Sequence, residues 1–152
     1  MVLALRNVAR AEEFFPGMGI TVVTRNFYLG SFIGDQETET TWLEGNVQGW
    51  AELVRKLSGG DHKHPQSDYA GMQKSLQQKW AFVQQVTPDT KDAFEPAEKS
   101  FWNSFMPDLF QGIGEGIPGR GVTHLSVKQA GLDLTDPTLM APRNWTVSYV
   151  IT

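Results

Sequence analysis

The chain has no cysteine among its 152 residues. This absence excludes disulfide bonds, thiol nucleophiles and cysteine-based zinc or iron–sulfur sites. Because intracellular and extracellular proteins can both lack cysteine, the compartment stays open. The sequence predicts no cofactor.

Long apolar runs and basic charge are also scarce. No segment approaches the roughly 18 apolar residues of a membrane span, and the apolar run that starts at Met1 is too short for a signal peptide. We therefore expect a soluble chain without a membrane span. The net charge is -4, whereas an autonomous nucleic-acid binder usually has a basic surplus. The charge argues against tight, independent binding of nucleic acid.

What is present is typical of a folded domain. Apolar residues make up 40% of the chain, and the aromatic residues include nine Phe and five Trp. This length and composition suffice for one domain with a core. The hydrophobic periodicity predicts an α+β fold that is mainly helical: a short helix and a β-hairpin, then a three-helix bundle and an irregular tail.

The first 35 residues carry the short helix and the hairpin. Apolar residues at helical spacing predict a helix from Val8 to Phe15, which Pro16 stops. Strands are predicted at 20–24 and 27–33, with a tight turn at 25–26.

Apolar residues at steps of three and four predict the three bundle helices. The apolar stripes of the three helices are Leu43, Val47, Trp50, Val54 and Leu57; Tyr69, Met72, Leu76, Trp80 and Val83; and Phe94, Ala97, Phe101, Phe105 and Leu109. The first helix is expected to end near Ser58 and the third to start near Phe94. In the tail we expect a glycine-rich linker from 111, an extended piece at 124–127, a turn at 130–131 and a last helix at 142–151.

Two histidines, His62 and His64, stand close enough in sequence to share a metal ion such as zinc. No third histidine is near, since His124 is isolated, and a solvated polar loop is the preferred explanation of the pair. We predict no metal site. A small enzyme built on this loop stays open as a remoter hypothesis, beside the two functions given below.

The second bundle helix has an amide-rich polar face. Its residues are Gln73, Lys74, Gln77, Gln78, Lys79, Gln84 and Gln85. Such a face can donate hydrogen bonds to phosphate and sugar oxygens without reading base sequence. Gln and Lys are also ordinary helix formers, so a merely solvated face explains the same residues.

The order of several short motifs resembles the primer grip and thumb of non-LTR retrotransposon reverse transcriptases. The motifs are Phe14-Phe15-Pro16-Gly17-Met18-Gly19, Tyr28-Leu29-Gly30, His64-Pro65-Gln66, Tyr69-Ala70-Gly71, the run from Gln73 to Trp80, and the run from Leu125 to Leu132. The last run is similar to a Gly-Gly-Leu-Gly segment of that family, with Ala130 and Asp133 in place of its first and last glycine. The resemblance implies a palm end and grip at 1–35, a thumb-like bundle at 36–110, and a linker and tail at 111–152.

The resemblance also implies site residues. Tyr28, Leu29 and Gly30 would shape the grip on a primer end. Lys74, Gln77 and Gln78 would face the template–primer duplex. The family's catalytic metals are held partly by an Asp-Asp pair, and this chain has none, so we predict no catalytic residue and no enzyme activity of its own.

Two functions remain from these observations. In the first, the chain is a noncatalytic reverse-transcriptase-like fragment that contacts an RNA–DNA or DNA duplex. In the second, it is a retroelement-derived structural or scaffold subunit that packs against protein partners in a larger assembly. Exposed aromatic side chains would favour the second function.

Overall fold

The computed structural model describes residues 13, 23, 25–28, 30–59, 64–111 and 119–151. Most of them are helical, and they include one two-stranded antiparallel sheet, which confirms the predicted fold class. The chain divides into two compact units, Met1–Gly45 and Asn46–Thr152, which are described separately. Among the helices in these ranges, none has the length and apolar character that crossing a membrane requires.

Within the described residues the strands are β1 (Asn26–Tyr28) and β2 (Ser31–Ile33), and seven α-helical segments follow. They are α1 (Gln36–Ser58), α2 (Pro65–Gly71), α3 (Gln77–Val86), α4 (Glu95–Ser100), α5 (Met106–Leu109), α6 (Arg120–His124) and α7 (Pro137–Ile151). Two π-helical turns, Met72–Leu76 and Phe101–Phe105, join α2 to α3 and α4 to α5. Short 3-10 turns stand at Asp92–Phe94 and Val127–Gln129.

The hairpin turns at a different place from the one predicted. The predicted single strand 27–33 folds back on itself, with Tyr28 opposite Ser31 and Asn26 opposite Ile33. Gly30 lies in the turn with φ of 85°, a left-handed backbone that glycine adopts without a steric penalty. The predicted turn at 25–26 is therefore wrong, since Asn26 is paired within β1. Of the predicted helix 8–15 and strand 20–24, only Glu13 and Val23 are described.

In the unit Met1–Gly45, the start of α1 has a local cause. Asp35 precedes the helix and accepts hydrogen bonds from the backbone N–H of Thr38 at 2.9 Å and from its hydroxyl at 2.8 Å. A carboxylate in this position satisfies one of the unpaired N–H groups of the first turn. Phe32 and Leu43 are the buried apolar residues of the described part of this unit.

In the unit Asn46–Thr152, the three predicted apolar stripes form the core. The fully or nearly buried members are Val47, Val54, Met72, Leu76, Trp80, Val83, Phe94, Ala97, Phe101 and Phe105. The predicted end of the first bundle helix near Ser58 and the predicted start of the third near Phe94 or Glu95 are confirmed as well. The π-helical turns were not predicted: in each, a backbone N–H bonds five residues back, from Gln77 to Met72 and from Met106 to Phe101.

The tail is more regular than predicted. The predicted last helix, 142–151, begins five residues earlier, because Asp136 caps its first turn and Pro137 occupies the first helical position. The predicted extended piece 124–127 is confirmed only for Leu125 and Ser126, whose backbone is extended with ψ of 145° and 156°. Residues 120–124 form α6, and the N–H of Ser126 bonds to the side chain of Gln129 across the following 3-10 turn.

The turn at 130–131 is confirmed. Ala130 has a left-handed φ of 59°. A Cβ on Gly131 would lie 2.1 Å from the carbonyl oxygen of Leu125, so only glycine fits there. The glycine-rich residues 112–118 lie outside the described ranges.

Candidate functional site

Two of the three residues expected to form a primer grip, Tyr28 and Gly30, lie at the tip of the hairpin. Tyr28 is the last residue of β1, and Gly30 is exposed in the turn. Leu29 lies outside the described residues. Their role in holding a primer end stays a prediction.

An aromatic groove lies beside this hairpin, within the same unit. Phe27, Phe32 and Trp42 pack with ring centroids 5.5 to 6.2 Å apart. They line an open groove of about 450 Å³ together with the polar residues Arg25, Asn26, Thr38 and Thr41. Phe27 is 59% exposed, which places an aromatic face in contact with water. Such a surface can stack on a flat ring or pack against apolar side chains.

The charge at this groove is mixed. Hydrogen bonds from the backbone and hydroxyl of Thr38 lower the pKa of Asp35, and the nearby cation of Arg25 lowers it further. The carboxylate is therefore held in its charged form next to the one arginine of the groove. This neighbour reduces the attraction that Arg25 can exert on a phosphate.

The three residues expected to face a duplex do not share one environment. Lys74 and Gln78 are exposed, whereas Gln77 is buried. The side chain of Gln77 donates to the carbonyl oxygen of Asp133 at 3.1 Å and accepts from the N–H of Thr135 at 3.0 Å. Both ends of its amide are thus used within the protein.

Gln77 belongs to a row of polar side chains that we call the amide ladder: Tyr69, Gln73, Gln77 and Gln84. Tyr69 donates to the carbonyl oxygen of Leu132 at 2.6 Å, and Gln73 donates to the carboxylate of Asp133 at 3.1 Å. Gln84 donates to the carbonyl oxygen of Pro137 at 2.7 Å and accepts from Asn144 at 2.8 Å. The ladder therefore fixes the segment from Leu132 to the first turns of α7 against α2 and α3.

The sequence held a signal for this division of the polar face. Steps of four and seven residues place Gln73, Gln77 and Gln84 on one flank of the apolar stripe. Lys74, Gln78 and Gln85 lie on the side of the helix opposite the apolar stripe, and they are exposed. A buried amide must find hydrogen-bond partners within the protein. The flank next to the core is therefore where amides with internal partners are expected.

A second polar network ties α4, α6 and α7 together. The guanidinium of Arg120 lies 3.0 Å from the Glu98 carboxylate and 3.4 Å from that of Asp136. The Thr138 hydroxyl lies 2.9 Å and 2.8 Å from the same two carboxylates, and it can donate its one proton to one of them at a time. The Trp102 indole donates to Asp136 at 3.1 Å.

Asp136 is almost fully buried in this network. Burial by itself would raise its pKa, but hydrogen bonds from Thr138, Trp102 and Leu139 outweigh that effect and lower the pKa. The Asp136 carboxylate therefore caps α7 and also takes part in the ion pair with Arg120. The Asp-Pro-Thr sequence at 136–138 is a helix-start signal that our prediction overlooked, whereas the contacts of Glu98 and Arg120 have no sequence signal because they depend on tertiary packing.

The outer side of α7 is apolar and exposed. We define the outer face of α7 as the outward residues Leu139, Pro142, Arg143, Thr146, Val147, Tyr149 and Val150, all of which are exposed. Leu139 is 62% exposed, and Tyr149 and Val150 are each 76% exposed. An exposed helix face is normally polar or charged, yet this one has a single charged residue, Arg143.

The opposite side of α7 is packed against the protein. Ala141 is buried, and the Ser148 hydroxyl donates to the carbonyl oxygen of Gln85 at 2.7 Å. Half-buried Trp145 stacks on Tyr149, a residue of the outer face, with ring centroids 6.3 Å apart. The helix is thus held in place by one side while the other is presented to the surroundings.

The histidine loop gives no metal geometry to assess. His64 is exposed, and His62 lies outside the described residues. Within the described part of the chain, no group of three or more His, Asp and Glu side chains is placed to hold a metal ion.

Comparison of the chain with protein-family models, with curated proteins and with solved structures returned no match.

Proposed function

We propose that the chain is a noncatalytic structural subunit that packs against a protein through the outer face of α7. The observation that carries this proposal is the composition of that face: seven outward residues of which one is charged, with four large apolar side chains in water. Leu139, Val147, Tyr149 and Val150 are 62%, 47%, 76% and 76% exposed, and a cluster of exposed apolar side chains often marks an interaction site.

The environment of the helix supports a docking role. Here the amide ladder and the Asp136 cap hold α7 in position. Its outer side chains are therefore presented on a fixed scaffold, which reduces the entropy lost on association.

The proposal retains descent from a reverse transcriptase thumb. The left-handed backbone at Ala130 and Asp133, with φ of 59° and 52°, falls at the two positions where the resembling segment has glycine. Glycine is the residue that adopts this conformation most easily. A left-handed backbone at the positions where the resembling segment has glycine supports the proposed kinship.

Site-specific photocrosslinking tests the proposal. A benzophenone side chain would replace Leu139 or Val150 in the chain, and Val127, which is 63% exposed on the 3-10 turn, is the control position. In an extract of the native cells we expect protein adducts from 139 and 150 that position 127 does not form. The adduct partner is then purified and its binding to the chain measured.

The second step decides the outcome. Val150→Glu should weaken binding of the purified partner by at least about tenfold, because it places a charge in a desolvated contact, and Val127→Glu should leave it unchanged. Equal binding by both variants, or no adduct above the control, would overturn the proposal.

The aromatic groove supports a second candidate, contact with nucleic acid through the hairpin. Exposed Phe27 beside Trp42 and Arg25 is a surface on which a base can stack. Exposed Lys74 and Gln78 fit the same function. Retention of an RNA–DNA hybrid that falls as salt rises would favour this candidate over protein docking.

A further inference from the structure

The segment between α6 and α7 is held to the helices beneath it by polar side chains. We call residues 125–135 the strap. The structure describes every residue of the strap, and among them only Leu134 is buried, whereas the others are exposed or half-buried. Its hydrogen bonds to the helical stretch from α2 to α3 are made by side chains of the amide ladder, which are Tyr69, Gln73 and Gln77. A segment that buries so little apolar surface belongs to the least stable parts of a fold.

The strap is also closed on itself by its own backbone. The N–H of Asp133 donates to the carbonyl oxygen of Leu125 at 2.8 Å, and the N–H of Gly131 donates to that of Ser126 at 3.0 Å. Both bonds lie within the strap, so they remain when its contacts with the helices break. The strap can therefore move as one piece.

Asp133 stores strain at the contact with the amide ladder. Its φ of 52° is left-handed, a conformation that a residue other than glycine adopts at a cost. Gln77 holds its carbonyl oxygen, and Gln73 holds its carboxylate. Strain of this kind is found at parts of proteins that switch between two positions. The strain opposes closure of the strap and so favours its release.

We propose that the strap is a reversible cover, which opens by itself while the helices beneath it stay folded. In the closed state it occupies the hydrogen-bonding groups of Tyr69, Gln73 and Gln77, and opening uncovers them. A ligand that contacts the Gln77 amide can therefore bind only after the strap has opened. The proposal does not depend on docking through the outer face of α7, which is a separate surface.

Amide hydrogen exchange of the purified full chain, followed residue by residue by NMR, is the first test. The reporters are two N–H groups that the closed strap protects. That of Leu134 donates to the carbonyl oxygen of Thr123 at 3.1 Å, and that of Thr135 donates to the side chain of Gln77 at 3.0 Å. Corrected for intrinsic rates, both should exchange at least about tenfold faster than the amide of Val54, which is buried in α1. Equal corrected rates would overturn the proposal.

A substitution in the core separates opening of the strap from unfolding of the whole domain. Val54→Ala removes packing that is present whether the strap is closed or open. It should speed exchange of the core amides by about tenfold and leave the two reporters unchanged. If this variant does not fold, low urea concentrations give the same comparison on the wild type, because urea promotes most the opening that exposes most surface. Equal acceleration of core and reporters would show that the strap does not open separately.

Substitutions at the contact test the amide ladder as the element that closes the strap. Gln77→Ala should speed exchange of the Leu134 amide by at least about fivefold, because two of the bonds that hold the strap are lost. Gln78→Ala is the matched control, since this neighbouring amide is exposed, and it should leave the rate unchanged. Equal rates in the two variants would contradict closure by the ladder.

Discussion

Ala130 is a residue whose backbone conformation suits a different side chain. Its φ of 59° is left-handed, which costs an alanine on the order of 1 kcal/mol relative to glycine. The N–H of Ala130 bonds to the carbonyl oxygen of Val127, and that of Gly131 bonds to Ser126, so the turn is held by its own hydrogen bonds. The strain is tolerated because these hydrogen bonds fix the backbone of the turn.

Ala130→Gly is therefore expected to stabilise the protein by about 0.5–1 kcal/mol, after allowance for the greater freedom of glycine in the unfolded chain. Gly131→Ala should do the opposite, with a loss above about 2 kcal/mol, because its Cβ would meet the Leu125 carbonyl oxygen. Urea denaturation of the two variants measures both changes. A loss of stability in Ala130→Gly would contradict the left-handed turn.

At the scale of elements, the packing of the tail depends on side-chain amides of a neighbouring helix. The amide of Gln77 bonds to two backbone groups of the segment 133–135. In regular secondary structure such groups bond to other backbone groups. The apolar stripes of the bundle were predictable because they follow the helical period. The partners of Gln77 were not predictable, since the period shows which polar residues flank the core but not which segment they meet.

Gln77→Ala should cost about 1–3 kcal/mol of unfolding free energy, because it leaves the Thr135 N–H and the Asp133 carbonyl without partners. Gln78→Ala is the matched control, since Gln78 is exposed and makes one weak contact of 3.5 Å, and its effect should lie within about 0.5 kcal/mol. Thermal and urea unfolding give the two values. Equal effects would show that the ladder does not hold the tail.

The start of α7 shows a second limit of prediction at this scale. Two prolines, Pro137 and Pro142, could each begin the helix. The chain begins it at Pro137, because Asp136 just before it supplies a cap, and Pro142 is accepted inside the helix without a backbone N–H. The cap at Asp136 therefore determines where the helix starts, and the later proline does not.

At the scale of the whole molecule, Asp136 is the buried charge among the residues that the structure describes. It joins the start of α7 to α6 through Arg120 and to the π-helical turn 101–105 through Trp102. The fold class and bundle could be predicted from composition and period. The polar network, the hairpin turn and the exposed face of α7 depend on how elements meet, which a single sequence does not state.

Acid should weaken the protein through Asp136. Its pKa is lower in the folded chain than the ordinary value of 3.8, so its contribution to stability is fully present above that value and is lost as pH falls through the folded pKa. Below about pH 4 the unfolding free energy of the wild type should therefore fall more steeply than that of Asp136→Asn, which cannot titrate. Urea unfolding across this pH range compares them.

Asp92→Asn, at an exposed aspartate, is the control and should follow the wild type. If Asp136→Asn follows the wild-type curve as well, the network does not account for the acid sensitivity.

The two π-helical turns have a consequence for the comparison of sequences. Each turn contains one residue more than an α-helical turn of the same height. A related chain could therefore lack one residue within 72–76 or 101–105 and keep the helix on either side in register with the core. Alignments of such chains should allow single-residue gaps inside these two helices, where gaps are ordinarily penalised, and a search that forbids them would pass over true relatives.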